Sequence, residues 1–362
     1  MQLPKSGICF SSSSTALIFS LLLVSFGVAQ AVIRLPPNIT VPAVFVFGDS
    51  IVDTGNNNNL KTIAKANHPP YGKDFMGGKP TGRFSNGRVT ADFIVEELGI
   101  KELLPAYLDP SLQTEDLTTG VNFASAAAGY DPLTSQISNV ISLSGQLDLF
   151  KEYTAKLKGL VGGERTSTIL NNSVFLVVAG SNDLANTYFT LRREQYDVPS
   201  YVDLIVRLAS DFVQELYGLG ARRIAVFGSP PGGCTPARRT LSGGPQRNCA
   251  EDFNQAAELF NTRLSEKLSS LNSNFPDARM VYIDGYTLPL DIILNPQKYG
   301  FEVANRGCCG TGLIEVVILC EASSFTCPDR SKYVFWDSYH PTERLHQLLV
   351  QSLLKENINK FL

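Results

Sequence analysis

Residues 43–50 read Ala43-Val44-Phe45-Val46-Phe47-Gly48-Asp49-Ser50, a short apolar run followed by a glycine turn that ends on a hydroxyl. A run that is apolar throughout fits a strand buried on both faces, as strands of parallel sheets are. The pattern then repeats: an apolar strand, a loop of Gly, Ser and Asn, and an amphipathic helix. The further strands read from it are Val121–Ala124, Val174–Val178, Arg223–Phe227 and Val281–Asp284. Between them Val202, Ile205, Ala209, Phe212 and Leu216 recur at helical spacing, as do Phe253, Ala256, Ala257, Phe260, Leu264 and Leu268. A third helix begins at Pro341 and carries Leu345, Leu348, Leu349 and Leu353 on one side. Alternating strands and helices predict an α/β fold with a parallel sheet of five strands covered on both faces, a three-layer α/β/α sandwich. No internal repeat or long linker divides residues 32–362, which read as one domain.

In such sheets the site lies outside the carboxyl ends of the strands, so the loops that follow strands should carry the chemistry. Gly48 turns the chain sharply after the first strand and presents Ser50 at its end. A serine hydroxyl is a weak nucleophile and needs a base within hydrogen-bond reach. The chain holds three histidines, His68, His340 and His346. His68 sits in a turn, Asn-His-Pro-Pro, and His346 falls inside the last helix, where a partly exposed histidine is expected. His340 differs, because Asp337 stands three residues upstream in Asp337-Ser338-Tyr339-His340-Pro341. That spacing lets Asp337 accept a bond from Nδ1 and leaves Nε2 for the Ser50 proton. An acyl-transfer site also needs donors for the developing oxyanion. The loop Gly180-Ser181-Asn182-Asp183 offers the Asn182 amide, and Ser125-Ala126-Ala127-Ala128-Gly129 offers the Gly129 N–H. The catalytic residues expected are therefore Ser50, Asp337 and His340, with Gly129 and Asn182 in the oxyanion hole.

The N-terminus reads as an address. Lys5 precedes the apolar stretch from Ala16 to Ala29, and Ala29-Gln30-Ala31 has the small-x-small pattern of signal-peptidase cleavage. Residues 1–31 are therefore expected to be a secretory signal peptide, and no later run is long enough for a transmembrane anchor. Six cysteines follow it, Cys234, Cys249, Cys308, Cys309, Cys320 and Cys327, an even number that suits disulfides in a secreted, extracellular protein. Cys234 with Cys249 is the first pairing expected, and the adjacent Cys308 and Cys309 should each bond elsewhere. Sequons at Asn38 and Asn171 are glycosylation candidates.

Beyond residue 31 there are 30 basic and 34 acidic side chains, a net charge of −4, with no basic stripe; nucleic acid is not an expected partner. The nucleophile-elbow motif, Walker loop, GxGxxG and HExxH patterns are absent, so no cofactor and no metal is implied.

The chain resembles the plant GDSL esterase/lipases of the SGNH hydrolase superfamily. The resemblance rests on Phe45 to Asn58 (FVFGDSIVDTGNNN), Thr81-Gly82-Arg83-Phe84-Ser85-Asn86-Gly87, Gly180-Ser181-Asn182-Asp183, Gly307-Cys308-Cys309-Gly310-Thr311-Gly312 and Phe335 to Thr342 (FWDSYHPT). It implies a flavodoxin-like five-stranded sheet, carboxylic-ester hydrolysis through an acyl-enzyme on Ser50, and Gly129 and Asn182 in the oxyanion hole. The family usually carries Ser-Gly-Gly-Ala-Gly where this chain has Ser125-Ala126-Ala127-Ala128-Gly129, so the methyls of Ala126 and Ala127 are expected to tighten that loop or redirect its N–H groups. A small-molecule, lipid or polymer ester is the expected substrate. The same acyl-enzyme would serve an acyltransferase with a non-water acceptor, and a spoiled oxyanion hole would leave an inactive binding protein. Phe75, Tyr130, Tyr188 and Phe189 are the aromatic residues expected near an acyl-binding wall.

Overall fold

The computed structural model describes residues 39–312, 314–315 and 320–361. The signal segment and Asn38 lie outside the described residues. Four parallel strands form the main sheet: β1 (Val44–Gly48), β2 (Val174–Val178), β3 (Arg223–Phe227) and β4 (Arg279–Ile283), hydrogen-bonded in that order. The expected α/β class holds, and β2 and β3 match the expected bounds.

The fifth strand is a correction. Residues 121–124 run parallel to β1 at the sheet edge, with Phe123 N–H donating to Val46 O at 2.7 Å and Ser125 N–H to Gly48 O at 3.0 Å. With β1 this segment forms a single ladder bridge, Val46 with Asn122, and on its other side Asn122 bridges Ala106. Regular pairing would send the Gly48 N–H to the Phe123 carbonyl. Instead the buried Gln146 amide takes both groups of Gly48, accepting from its N–H at 2.8 Å and donating to its carbonyl at 2.9 Å. On the outer edge the Asn56 amide donates to the Asn122 and Ala124 carbonyls. Side-chain bonds thus replace part of the ladder. With this edge segment counted second, the order is 2-1-3-4-5, the flavodoxin-like order, whose switch point lies between β1 and β2.

Alternation along the strands separates two cores. Phe45, Phe47, Phe175, Val177, Ile224 and Val226 face helices α3 (Leu143–Val161), α5 (Val198–Gly218) and α7 (Glu251–Asn274). This layer is aromatic: Phe47 meets Phe150 edge-on at 5.6 Å and stacks on Phe123 at 5.1 Å. Val44, Val46, Leu176 and Ala225 face α1 (Thr90–Glu97) and α9 (Glu343–Phe361) on the other side. Shorter helices α2 (Pro132–Ser138), α4 (Gly163–Asn172), α6 (Pro236–Ser242) and α8 (Thr287–Leu294) complete the order, with a π-helical segment over Asp183–Arg192. A small parallel pair, β5 (Val303–Gly307) and β6 (Tyr333–Phe335), was not foreseen, because β5 lacks an apolar run. Cys234 pairs with Cys249 as expected, and Cys308 and Cys309 pair with Cys327 and Cys320. Among the described residues no helix is long and apolar enough to cross a membrane.

His346 is not partly exposed; on α9 it is 1% exposed, with Nδ1 2.9 Å from the Thr90 hydroxyl. Burial lowers its pKa to about 3, assisted by His340 and opposed by Asp92. An unfolded chain would protonate this ring below about 6.5, while the folded chain holds it neutral to about 3. Its contribution to stability is therefore present at neutral pH and lost as pH falls across that window. In denaturant titrations from pH 7 to 3, His346→Gln should remove a loss of the order of a few kcal/mol from the wild-type profile. Parallel profiles for the two proteins would refute this.

Candidate active site

Ser50, Asp337 and His340 meet at the carboxyl end of β1. Gly48, at φ +135°, ends the strand, and a Cβ there would lie 1.9 Å from the Val178 carbonyl oxygen. Asp49 N–H then donates to that carbonyl at 3.0 Å, and the next residue, Ser50, stands beside the loop that leaves β2. His340 follows β6. Its Nε2 lies 2.8 Å from Ser50 Oγ, and its Nδ1 lies 2.7 and 3.0 Å from the two Asp337 oxygens. An ionised carboxylate only accepts, so Nδ1 carries the proton and Nε2 presents a lone pair to the serine hydroxyl. The spacing of three works because Asp337 Oδ1 also accepts the N–H groups of Tyr339 and His340, at 2.8 and 2.7 Å, folding the segment into a turn of the Asx kind.

Asp337 is 5% exposed, and burial works to raise its pKa. The facing His340 ring, the bond from its Nδ1 and the two backbone N–H bonds outweigh burial and hold the carboxyl below its usual range. Tyr71 adds a fourth partner, its hydroxyl donating to Asp337 Oδ2 at 2.7 Å. Burial, with the Asp337 charge, keeps that phenol protonated and therefore a donor. Tyr71 was not read from the sequence; it is 266 residues from Asp337, and no local pattern marks it. Phe84, in the Thr81–Gly87 block, covers the imidazole with ring centroids 4.8 Å apart.

Asn182 stands after β2, with its amide donating to the Ala128 carbonyl at 3.0 Å and lying 3.4 Å from Asp49 Oδ2. Asp49 also takes the Ser181 hydroxyl and the Ile51 N–H, tying the Ser50 turn to the β2 loop. Gly129 is buried against Asp183, where a Cβ would sit 2.5 Å from the carboxylate. Asp183 accepts the N–H groups of Tyr130 and Asp131 at 2.8 Å each and the Thr134 hydroxyl at 2.7 Å. Burial raises its pKa to about 7 against those bonds.

A cavity of about 330 Å³ opens over Ser50, His340 and Asn182, with Ala126 and Ala127 in its wall and Ile63 exposed at its mouth. A second chamber of about 110 Å³ shares Ile51, Ser181, Pro230 and Tyr339 with it and is closed by Leu288, Ile293, Leu345 and Leu349. The aromatic residues expected at an acyl wall do not line either space. Tyr130 and Tyr188 are core, Phe189 stacks on Phe253 at 3.8 Å, and Phe75 lies under Arg83. Tyr71, Phe84, Phe253 and Tyr339 line the main cavity instead, together with His68. Asn171 is exposed near the end of α4, whereas Ser173 of its sequon is buried and bonded to the Ile169 carbonyl. Among the described residues no three His, Cys, Asp or Glu side chains are grouped to hold a metal ion.

A serine joined to an Asp–His pair at the switch point of a flavodoxin-like sheet is an arrangement of the carboxylic ester hydrolases, and this protein is one of them. The chain belongs to the GDSL-like lipase/acylhydrolase family, whose sequence profile matches residues 44–353. It is 56% identical to the GDSL esterase/lipase EXL3 of Arabidopsis thaliana over 331 residues, 91% of each chain. It is 51% identical to EXL2 of the same plant over 357 residues, 94% of each. Among solved structures it is similar to a catalytic mutant of Axe2, an acetylxylan esterase from Geobacillus stearothermophilus. That match has 12% identity and a TM-score of 0.40, over 88% of this chain and 94% of the other.

Tyr71→Phe keeps the ring but removes a hydrogen bond to a buried carboxylate, a loss of about 1.5–3 kcal/mol. Urea denaturation should show that loss at neutral pH, and an unchanged unfolding free energy would remove Tyr71 from the Asp337 network.

Proposed function

We propose that this protein is a secreted serine esterase/lipase that hydrolyses carboxylic esters through an acyl-enzyme on Ser50. The observation that carries the reading is the continuous line from Asp337 through His340 to Ser50, with contacts of 2.7 and 2.8 Å. Ser50 Oγ attacks the ester carbonyl carbon while His340 Nε2 takes its proton. His340 returns the proton to the departing alcohol oxygen, then accepts one from the water that releases the acid. Asp337 keeps the ring in its tautomer and stabilises the imidazolium. The oxyanion is met by the Ser50 N–H, the Asn182 amide and a backbone N–H of the Ser125–Gly129 loop. The short Ser50–His340 contact favours this reading over an inactive binding protein of the same fold.

The apolar chamber behind Ile51 and Tyr339 favours esters with an aliphatic acyl chain. Secretion is supported by the leader pattern of residues 1–31 and by the paired cysteines. On this reading the mature chain is residues 32–362, one hydrolase domain, with Asn38 and Asn171 as its glycosylation candidates.

A fluorophosphonate probe should label the mature protein, with labelling abolished in Ser50→Ala and His340→Ala. Asp337→Asn should lower kcat on a p-nitrophenyl ester by about 10⁴-fold. Labelling that persists in Ser50→Ala would sink the mechanism. Acyl-chain profiling gives a second check, because each buried methylene contributes about 0.8 kcal/mol. The wild type should prefer octanoyl to acetyl esters, and Leu288→Trp should erase that preference while sparing acetyl ester hydrolysis. A variant with the wild-type profile would show that the chain binds elsewhere.

A further inference from the structure

The wall of the main cavity carries a positive charge that no carboxylate of the protein meets. Resting on the serine mechanism and the acyl chamber proposed above, we infer that Arg238 selects the substrate: the alcohol arm of the ester carries an oxyanion group, a carboxylate or a phosphate, which the Arg238 guanidinium binds.

Arg238 is placed by the start of α6. The Thr235 hydroxyl caps that helix by accepting the Arg238 N–H at 3.4 Å, and Pro236 follows at the first helical position. The partly buried side chain then lies in the cavity wall, its guanidinium carbon 4.5 Å from the centroid of the Phe253 ring. Phe253 is itself stacked on Phe189, so this face of the guanidinium is covered by a supported ring. Nη2 donates to the Ala185 carbonyl. A guanidinium has five N–H groups in a fixed fork. Among the described residues no acceptor meets Nη1 or the buried Nε.

The charge is unmet as well. Arg83, Arg88, Arg192, Arg222, Arg263 and Arg330 each pair with a carboxylate. Every Asp and Glu of the chain lies among the described residues, and none of them pairs with Arg238. Of the acids in the cavity wall, Asp337 is taken by His340 and Tyr71, and Glu321 is exposed. Lys65, also in the wall, adds a second cation. Removing a charge from water is costly unless a counter-charge meets it. The planar fork of an arginine suits carboxylate and phosphate groups, which accept through two oxygens at once.

The position of Arg238 assigns the anion to one arm of the ester. Ala185, which holds Nη2, stands three residues beyond Asn182, about 5 Å along the helical segment that follows β2. The guanidinium is therefore a few bond lengths from the amide that meets the ester oxygen in the proposed mechanism. The acyl chain occupies the chamber behind Ile51 and Tyr339 on that same reading, and Arg238 lines the main cavity but not the chamber. The group that faces Arg238 is then the one that departs with the alcohol.

The test uses the full mature chain and two matched pairs of soluble esters. One pair is 3-carboxyphenyl butyrate and 3-carbamoylphenyl butyrate; the other is 1-butyrylglycerol 3-phosphate and 1-butyrylglycerol. The readout is the ratio of kcat/KM, anionic over neutral, per site labelled by fluorophosphonate. Comparing one ratio between enzymes cancels the intrinsic difference between leaving groups. In Arg238→Gln the ratio should fall by about tenfold or more, chiefly through KM, in at least one pair, with Arg238→Lys intermediate. The pair that falls further tells carboxylate from phosphate. A ratio unchanged in both pairs, even where all four esters slow together, makes Arg238 a packing residue and overturns the inference while the serine mechanism stands. A preference that depends on Arg238 only for an anionic acyl arm, read with mono(4-nitrophenyl) succinate against 4-nitrophenyl butyrate, overturns the assignment to the alcohol. A wild type inert to every ester and to fluorophosphonate fails the serine mechanism, and this inference with it. If Arg238→Gln does not fold, product inhibition of the wild type decides. Either 3-hydroxybenzoate or glycerol 3-phosphate should then inhibit p-nitrophenyl butyrate hydrolysis about tenfold more strongly than 3-hydroxybenzamide or glycerol, and equal inhibition within both pairs overturns the inference.

Discussion

The geometry of the site depends on the approach of β1 to β2 at Gly48. No side chain fits there, since a Cβ would fall 1.9 Å from the Val178 carbonyl oxygen. The strands can therefore stay in register to their ends, and the Asp49 N–H can take the last carbonyl of β2. Ser50 and the Ser181–Asn182 loop leave the sheet side by side in consequence. Gln146 completes this junction from α3 by binding both polar groups of Gly48, which ends regular pairing on the other edge and frees residues 125–129 to turn toward the serine.

Beyond the strand ends, buried carboxylates do the organising that a sheet ladder no longer can. Asp49, Asp53 and Asp183 are each at most 1% exposed and each accepts backbone N–H groups or hydroxyls of a site loop. Burial raises their pKa values to about 6, 6 and 7, with those same hydrogen bonds pulling the other way. Buried polar groups are tolerable where their partners are complete, and complete partners fix loops in one arrangement. Asp337 differs because a histidine faces it, which holds its carboxyl low and suits it to support an imidazolium.

The Asp337–His340 loop is secured separately. Cys308 and Cys309 donate their N–H groups to the carbonyls of Phe335 and Trp336, immediately before Asp337. Both cysteines are in disulfides, so the strand-like segment that flanks the Asp337–His340 turn is covalently tied. On the far side Tyr71 and Phe84 pack against the carboxylate and the imidazole. The serine and the histidine thus reach their 2.8 Å contact from two independently braced supports.

By itself the sequence determined whatever is local. Strand runs, helical stripes, Ser50 one residue beyond Asp49 at a strand end, and Asp337 three residues before His340 all follow from neighbours along the chain, because periodicity and turn chemistry act over a few residues. The Cys234–Cys249 pairing was legible for the same reason. Tertiary structure decided what depends on distant partners. Gln146 binds Gly48 across 98 residues and so leaves the fifth strand an irregular edge, and Tyr71 joins Asp337 across 266. The aromatic residues near the site in sequence were drawn into the core, and others, Tyr71, Phe84, Phe253 and Tyr339, came to line the cavity. The conformation of Ala127 belongs to this second class: its sequence position gives only a methyl where a glycine is usual, and the buried Asp53 and Asn57 contacts to Ala126 hold the turn in which Ala127 takes φ +68°. Contacts of that kind are fixed by packing, which brings together residues that no local pattern relates.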